Sequence, residues 1–240
     1  MKKLLFLAAM LGVIQVSAQW PWEKIEGNGQ IRKESRQVGS YTAVSSAGAW
    51  DVMIGYGESS TIQVEGDENL LPYIETEVEN GKLQIRTKKR ANLHSRKKIT
   101  IYVSLTKMTG VSLSGSGDII GKGRFRNEGS TSFKVSGSGN IRIDLDKVGD
   151  ADVSISGSGN ITLAGSANRI DARVSGSGNA DCQELITNDA EAHISGSGNI
   201  KLNANKSVDA SISGSGNVSY KGSAAEVKKH VAGSGRLVKI

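Results

Sequence analysis

Apolar and polar residues alternate along most of this 240-residue chain, and the alternation runs straight through a repeated pentapeptide. The segment Val153-Ser-Ile155-Ser-Gly157-Ser-Gly159-Asn-Ile161-Thr-Leu163 puts apolar residues and glycines at odd positions and polar residues at even ones. Side chains of a strand point alternately to its two faces, so a period of two predicts a half-buried strand. SGSGN starts at Ser136, Ser156, Ser175, Ser195 and Ser213, SGSGD at Ser114, and a degraded AGSGR at Ala232. The steps between copies are 22, 20, 19, 20, 18 and 19 residues. Phe133, Val135, Ile141 and Ile143 keep the same phase around one copy, and Ala192, Ile194, Ile200 and Leu202 around another. A Gly/Ser string alone would read as a flexible linker. The alternation on both sides predicts an ordered segment instead.

Glycine inside a strand marks a bend or a close backbone approach. Each motif is therefore expected to be a corner of a coil, with its glycines pointing inward and its serines outward. A repeat near 20 residues, at ~3.3 Å per residue, has a contour of roughly 65 Å, enough for two or three short strands. Stacking such coils ~4.8 Å apart gives a parallel β-helix, a solenoid whose coils touch only their neighbours. The expected fold class is all-β: a β-helix with ~20-residue coils, regular over 109–240 and less regular over 19–108. In the latter part Trp50-Asp-Val52-Met-Ile54, Thr61-Ile-Gln-Val64, Lys82-Leu-Gln-Ile85 and Thr100-Ile-Tyr-Val103 alternate, and Asn80-Gly81 is a hairpin signal. Glu26-Gly-Asn-Gly-Gln30 reads as a faint echo of the motif.

Composition narrows the class. Glycine contributes 30 residues and aromatics only 5%, which disfavours a two-layer core built on Phe and Trp. Residues 1–18 read as a secretory signal: Lys2 and Lys3, an uncharged apolar run from Leu4 to Val13, then Val16-Ser17-Ala18 as cleavage site. Removing the two lysines lowers the formal charge from +6 to +4. The chain is thus expected in the periplasm, at the cell surface or outside the cell, with no transmembrane segment after the signal and no nucleic-acid partner. Trp20-Pro21-Trp22 would cap the first coil.

Two surfaces are candidate binding sites. Ser138, Ser158, Ser177, Ser197 and Ser215 should align, as should Asn140, Asn160, Asn179, Asn199 and Asn217, giving an array of hydroxyls and amides suited to a glycan. The competing reading is that these groups bond each other, as stacked amides do. Lys88, Lys89, Arg90, Arg96, Lys97 and Lys98 fall in one stretch without an acid. That stretch suits carboxylate or phosphate groups of surface polysaccharide or lipid headgroups, against the plainer reading of a solvated loop. Cys182 falls at the inward position of Leu163, Leu202 and Tyr220. His94, His193 and His230 show no metal-ligand spacing, so no metal, cofactor or catalytic residue is expected. A carbohydrate-active enzyme, a polysaccharide lyase or hydrolase, is the rival reading and would need clustered carboxylates. Asp144, Asp146, Glu184 and Glu191 show no spacing that stacks a pair. The reading preferred is a non-catalytic envelope or surface binding module, with a surface polysaccharide or another envelope protein as partner.

The marks Trp50-Asp51-Val52-x-Ile54-x-x-Gly57, Val64-Glu-Gly-Asp67-Glu-Asn-Leu70-Leu71-Pro-Tyr73, Thr76-Glu-Val78 and Asn80-Gly81-x-Leu83-x-Ile85, followed by the SGSG(D/N) series, resemble a bacterial family. It is the auto-transporter adhesin head, or head GIN domain, family common in Bacteroidetes. The resemblance spans about Gly27 to Gly235. It implies a single-stranded, right-handed β-helix and an adhesin-like role, and it carries no catalytic residue.

Overall fold

The computed structural model describes residues 23–58 and 60–240. The expected signal (1–18) and the Trp20-Pro21-Trp22 cap lie outside the described residues. The chain lays down β1 (Glu23–Glu26), β2 (Ile31–Gln37), β3 (Ala43–Gly48), β4 (Asp51–Tyr56) and β5 (Thr61–Asp67), then a 3-10 turn at Leu71–Tyr73. Next come β6 (Ile74–Glu79), β7 (Lys82–Thr87), β8 (Ala91–His94), β9 (Thr100–Leu105) and β10 (Gly110–Gly115). The long strands are β11 (Asp118–Gly137), β12 (Asn140–Gly157), β13 (Asn160–Gly176), β14 (Asn179–Gly196) and β15 (Asn199–Gly214). The chain ends in β16 (Asn217–Lys221), β17 (Glu226–Gly233) and β18 (Arg236–Lys239).

Each copy of the pentapeptide separates two strands: one ends on its first glycine, the next begins on its Asp, Asn or Arg. Strands β10 to β15 pair in parallel, offset by one repeat, so that Ser136, Ser156, Ser175, Ser195 and Ser213 stand side by side. The product is a β-solenoid of about six turns. Every coil has one arm before the corner and one after it. Register shifts, as between Asp144 and Val148 or Asp181 and Ile186, mark its remaining bend.

The interior is narrow, which is why it is built from small and branched side chains. Val153, Ala172, Ala192 and Ala210 form one buried column, and Val135, Ile155, Val174, Ile194 and Ile212 another. At the corner the walls meet. Gly159 is buried, and a Cβ there would lie 2.2 Å from the Gly139 carbonyl oxygen and 2.5 Å from Val135 Cγ1. Gly157 adopts φ +118°, and its Cβ would lie 2.6 Å from the Gly137 oxygen. The expectation that both glycines face inward is thus corrected: the second does, while the first is half-buried and turns the chain in a left-handed conformation that side chains avoid.

The N-terminal part departs from chain order. β3 pairs with β10 so that Ala47 and Gly48 oppose Ser114 and Gly115, making Ala47-Gly-Ala-Trp50-Asp51 a further corner. Trp50 stands where the second glycine belongs, buried, its indole donating to Ser46 Oγ at 2.9 Å. A later rung, β7 with β9, stacks on the other side of β3 and β4. Antiparallel β2, β5 and β6 close that end, and the β6–β7 hairpin turns at Asn80 (φ 51°) and Gly81 (φ 71°), the mirror-image turn that Asn-Gly favours. Glu26–Gln30 is not a corner. It loops around the buried Asp67 carboxylate, which accepts from the backbone N–H of Gly29 (2.6 Å) and of Arg96 (2.9 Å).

At the other end, β17 and β18 leave an open edge. Lys229 stands in register with buried Ala210 and Lys239 with buried Tyr220, so two inward positions of the last coil carry charges. Val238, an apolar residue, takes an outward position opposite Ser219 and so breaks the phase of the alternation. Charge at inward edge positions opposes the addition of another strand.

Two outcomes follow. Gly159→Ala should cost about 2–3 kcal/mol in urea unfolding, because a carbonyl and a packed Val135 must both yield, while Ser158→Ala should stay within ~0.5 kcal/mol. Replacing Lys229 and Lys239 together by valine should make the charged end stack more readily than that of the wild type, read as a steeper rise in sedimentation coefficient with concentration.

Candidate functional site

The corner ridge holds every candidate position named from the repeat. Its asparagines are engaged with one another. Asn140 Nδ2 donates to Asp118 Oδ1 (2.8 Å), Asn160 to Asn140 Oδ1 (2.8 Å), Asn179 to Asn160 (2.9 Å), Asn199 to Asn179 (2.9 Å) and Asn217 to Asn199 (3.2 Å). The ladder runs one way and ends on a carboxylate, which only accepts. That is why Asp stands in the first SGSG copy. Lys98 neutralises the ladder's end, with its ammonium 2.7 Å from Asp51 and 3.4 Å from Asp118. The hydrogen bond with Asp51 is the main reason its pKa is raised. Ser138, Ser158, Ser177, Ser197 and Ser215 are exposed, step from coil to coil through backbone bonds such as Ser177 N–H to Gly157 O (2.9 Å), and have no side-chain hydrogen bond among the described residues. The ridge therefore presents hydroxyls, with the amides largely committed to holding rungs together.

The basic stretch occupies a special place. In the outermost rung β7 leads toward the corner and β9 leaves it, so Lys88–Ile99 replaces the two residues that link the strands at the corner of the other rungs. Lys88, Lys89 and Arg90 are exposed before β8, and Arg96, Lys97 and Lys98 after it. Strand β8 pairs in parallel with β1, which brings Glu23 opposite Ala91 and Glu26 opposite His94. The charge run, unbroken in sequence, thus meets acids in space. Glu26 titrates below the usual carboxylate range, chiefly through a hydrogen bond from Lys24, with His94 and Arg96 adding attraction. Lys98 is committed to the ladder.

The arm before the corner carries a feature that sequence reading missed. Asp152, Asp171, Glu191 and Asp209 stand side by side on β12, β13, β14 and β15. Of the four acids expected to find no stacked partner, Glu191 therefore has one on either side, Asp171 and Asp209. The column's spacings of 19, 20 and 18 residues were visible, but they sit outside the pentapeptide and mix Asp with Glu. Stacked like charges repel. Here Arg173 lies 2.5 Å from Asp171 Oδ2, Arg169 lies 2.6 Å from Glu191 Oε1, and Ser130 donates to Asp152. Glu191 is the main reason the Arg169 pKa is raised. One carboxylate oxygen each of Asp171 and Glu191 and a ring nitrogen of His193 lie within 4.8 Å of one another, although histidine spacing gave no hint of it.

Cys182 is fully buried at its inward position, and burial, reinforced by Asp181, pushes its thiol up to about 12. The native thiol should be silent to an aromatic disulfide reagent at pH 8 and react fully once the chain is unfolded in guanidinium, since only the thiolate attacks.

A parallel β-solenoid with one uniform ridge defines the structural class. The chain belongs to the family described as "Putative auto-transporter adhesin, head GIN domain", whose model matches residues 40–224. Among solved structures, it is similar to a "putative adhesin" from Bacteroides fragilis (22% identity, 90% of this chain, 100% of that one, TM-score 0.81). It is also similar to a "putative adhesin" from Parabacteroides merdae (24%, 90% and 99%, TM-score 0.72). A "putative lipid binding protein" from Parabacteroides distasonis shares 25% identity over 91% of this chain and 100% of its own (TM-score 0.72). The comparison with curated proteins finds no match. No helix of the described residues is long and apolar enough to cross a membrane.

Proposed function

We propose that the protein is an exported, non-catalytic, adhesin-like module that holds an anionic surface glycan along its corner ridge. The observation that carries this reading is the position of the basic segment. Because Lys88–Ile99 takes the place of a corner, its cations extend the same ridge that displays the serine hydroxyls. A sugar chain lying along the ridge would meet hydroxyls at each rung and place its carboxylates or sulfates at the basic end. Family membership supports the adhesin-like role, and the signal-like residues 1–18 support export. A lipid headgroup phosphate shares the anion chemistry, in keeping with the name of the Parabacteroides distasonis relative.

The stacked acids give the enzyme reading its one favourable observation, since paired carboxylates are what glycoside hydrolysis needs. Their pairing with Arg169 and Arg173 counts against it.

A glycan array probed at low and moderate salt separates these readings. Acidic glycans should bind and weaken with salt, because exposed charges are screened. Replacing Lys88, Lys89, Arg96 and Lys97 by glutamine should reduce binding about tenfold or more, roughly two surface charge pairs' worth. Vesicles with anionic headgroups should bind more weakly than the best glycan. Salt-insensitive binding to neutral glycans would transfer the site to the serines alone, and shortened glycan would revive the enzyme.

A further inference from the structure

The column of acids on the arm before the corner has an arrangement that ion pairing alone does not complete. Asp171 uses Oδ2 for Arg173, but its Oδ1 is sealed from solvent and has no hydrogen-bond partner. A dehydrated anionic oxygen without a donor is a rare and costly state that a cation relieves. Glu191 is the residue directly opposite on the next rung, and its Oε1 goes to Arg169. His193 follows Glu191 by two positions on β14, so it projects from the same face. The three side chains together bring one nitrogen and two oxygens within 4.8 Å. No hydrogen bond joins His193 to either carboxylate among the described residues, so the approach is not explained by a bond among the three.

The donor set selects the ion. Calcium and magnesium take six or more oxygens or keep a shell of water. Imidazole with carboxylate suits zinc and its first-row neighbours, and three protein ligands leave a fourth position open. The arginines need not be displaced, because each carboxylate has two oxygens. Asp152 and Asp209, the column's outer members, add negative charge on both sides and concentrate cations at the centre.

We infer that Asp171, Glu191 and His193 form a site for a zinc-class divalent cation that clips β13 to β14. The site lies on the arm before the corner and is separate from the ridge proposed to hold glycan. The ion's open position faces outward from the strand face, where a water or a carboxylate of a partner completes the shell.

The test is a titration of the full chain, stripped with chelator, with zinc chloride against a chromogenic competitor, and with calcium chloride in parallel. The expected result is one zinc bound per chain, at least ~10-fold weaker calcium binding, and a loss of zinc affinity of ~10-fold or more in His193→Ala. His94→Ala and His230→Ala should leave it unchanged. Zinc should raise the thermal midpoint of the wild type and not of His193→Ala, whose metal-free midpoint should equal that of the wild type. Absence of one-to-one zinc binding overturns the site. So does zinc binding that survives in His193→Ala, or calcium binding as tight as zinc, which would mark only an acidic column.

Discussion

The backbone-on-backbone contact at the corner is the constraint on which the rest of the solenoid depends. Successive second glycines place their carbonyl oxygens where any Cβ would sit, 2.2 Å from a Cβ added to Gly159 and 2.2 Å from one added to Gly178. This fixes the register of adjacent rungs at one point per coil. Once it is set, the period of two on both arms decides which residues enter the interior, and the Asn ladder follows because residue Asn+1 coil is brought into line. The narrow interior is a consequence too: walls that converge this closely are filled mainly by alanine, valine, isoleucine and leucine, with Phe125 and Phe133 also buried.

The same geometry separates two chemistries on the surface. At the ridge, one side chain of each repeat serves cohesion and another is left to solvent. The amides hold the rungs together, while the hydroxyls two residues earlier have no such duty. On the arm before the corner, nothing in the motif constrains the outward residues, and there acids, arginines and a histidine gather. In a chain of net charge +6, a column of four carboxylates is a local reversal of sign.

Much of the fold was legible because the corner glycines and the alternation report the same register. The inward placement of Cys182 and the outward Ser and Asn rows are legible from phase, and the hairpin from its Asn80-Gly81 turn dipeptide. What escaped did so for physical reasons. The corner at Ala47–Asp51 keeps its first glycine but replaces the second with Trp50, whose ring fills the space a glycine would leave, and its spatial neighbour Ser114 is 67 residues away. The later rung of β7 and β9 lies outside the earlier one, so no fixed step along the chain reveals it. The basic stretch was read without its acidic neighbours because β1 reaches it only through tertiary pairing. The site of Asp171, Glu191 and His193 joins two rungs, and ligand spacing within one strand is silent about it.

The near-identity of the internal rungs has an evolutionary consequence. A coil such as residues 160–178 meets, above and below, rungs with the same corner, the same amide and the same buried column. Unequal recombination that duplicates or drops one such unit leaves every remaining contact of the same kind and leaves both specialised ends untouched. The length of the ridge is therefore an inherited variable that changes in whole steps, and lineages can match it to the reach of what they bind without redesigning the fold.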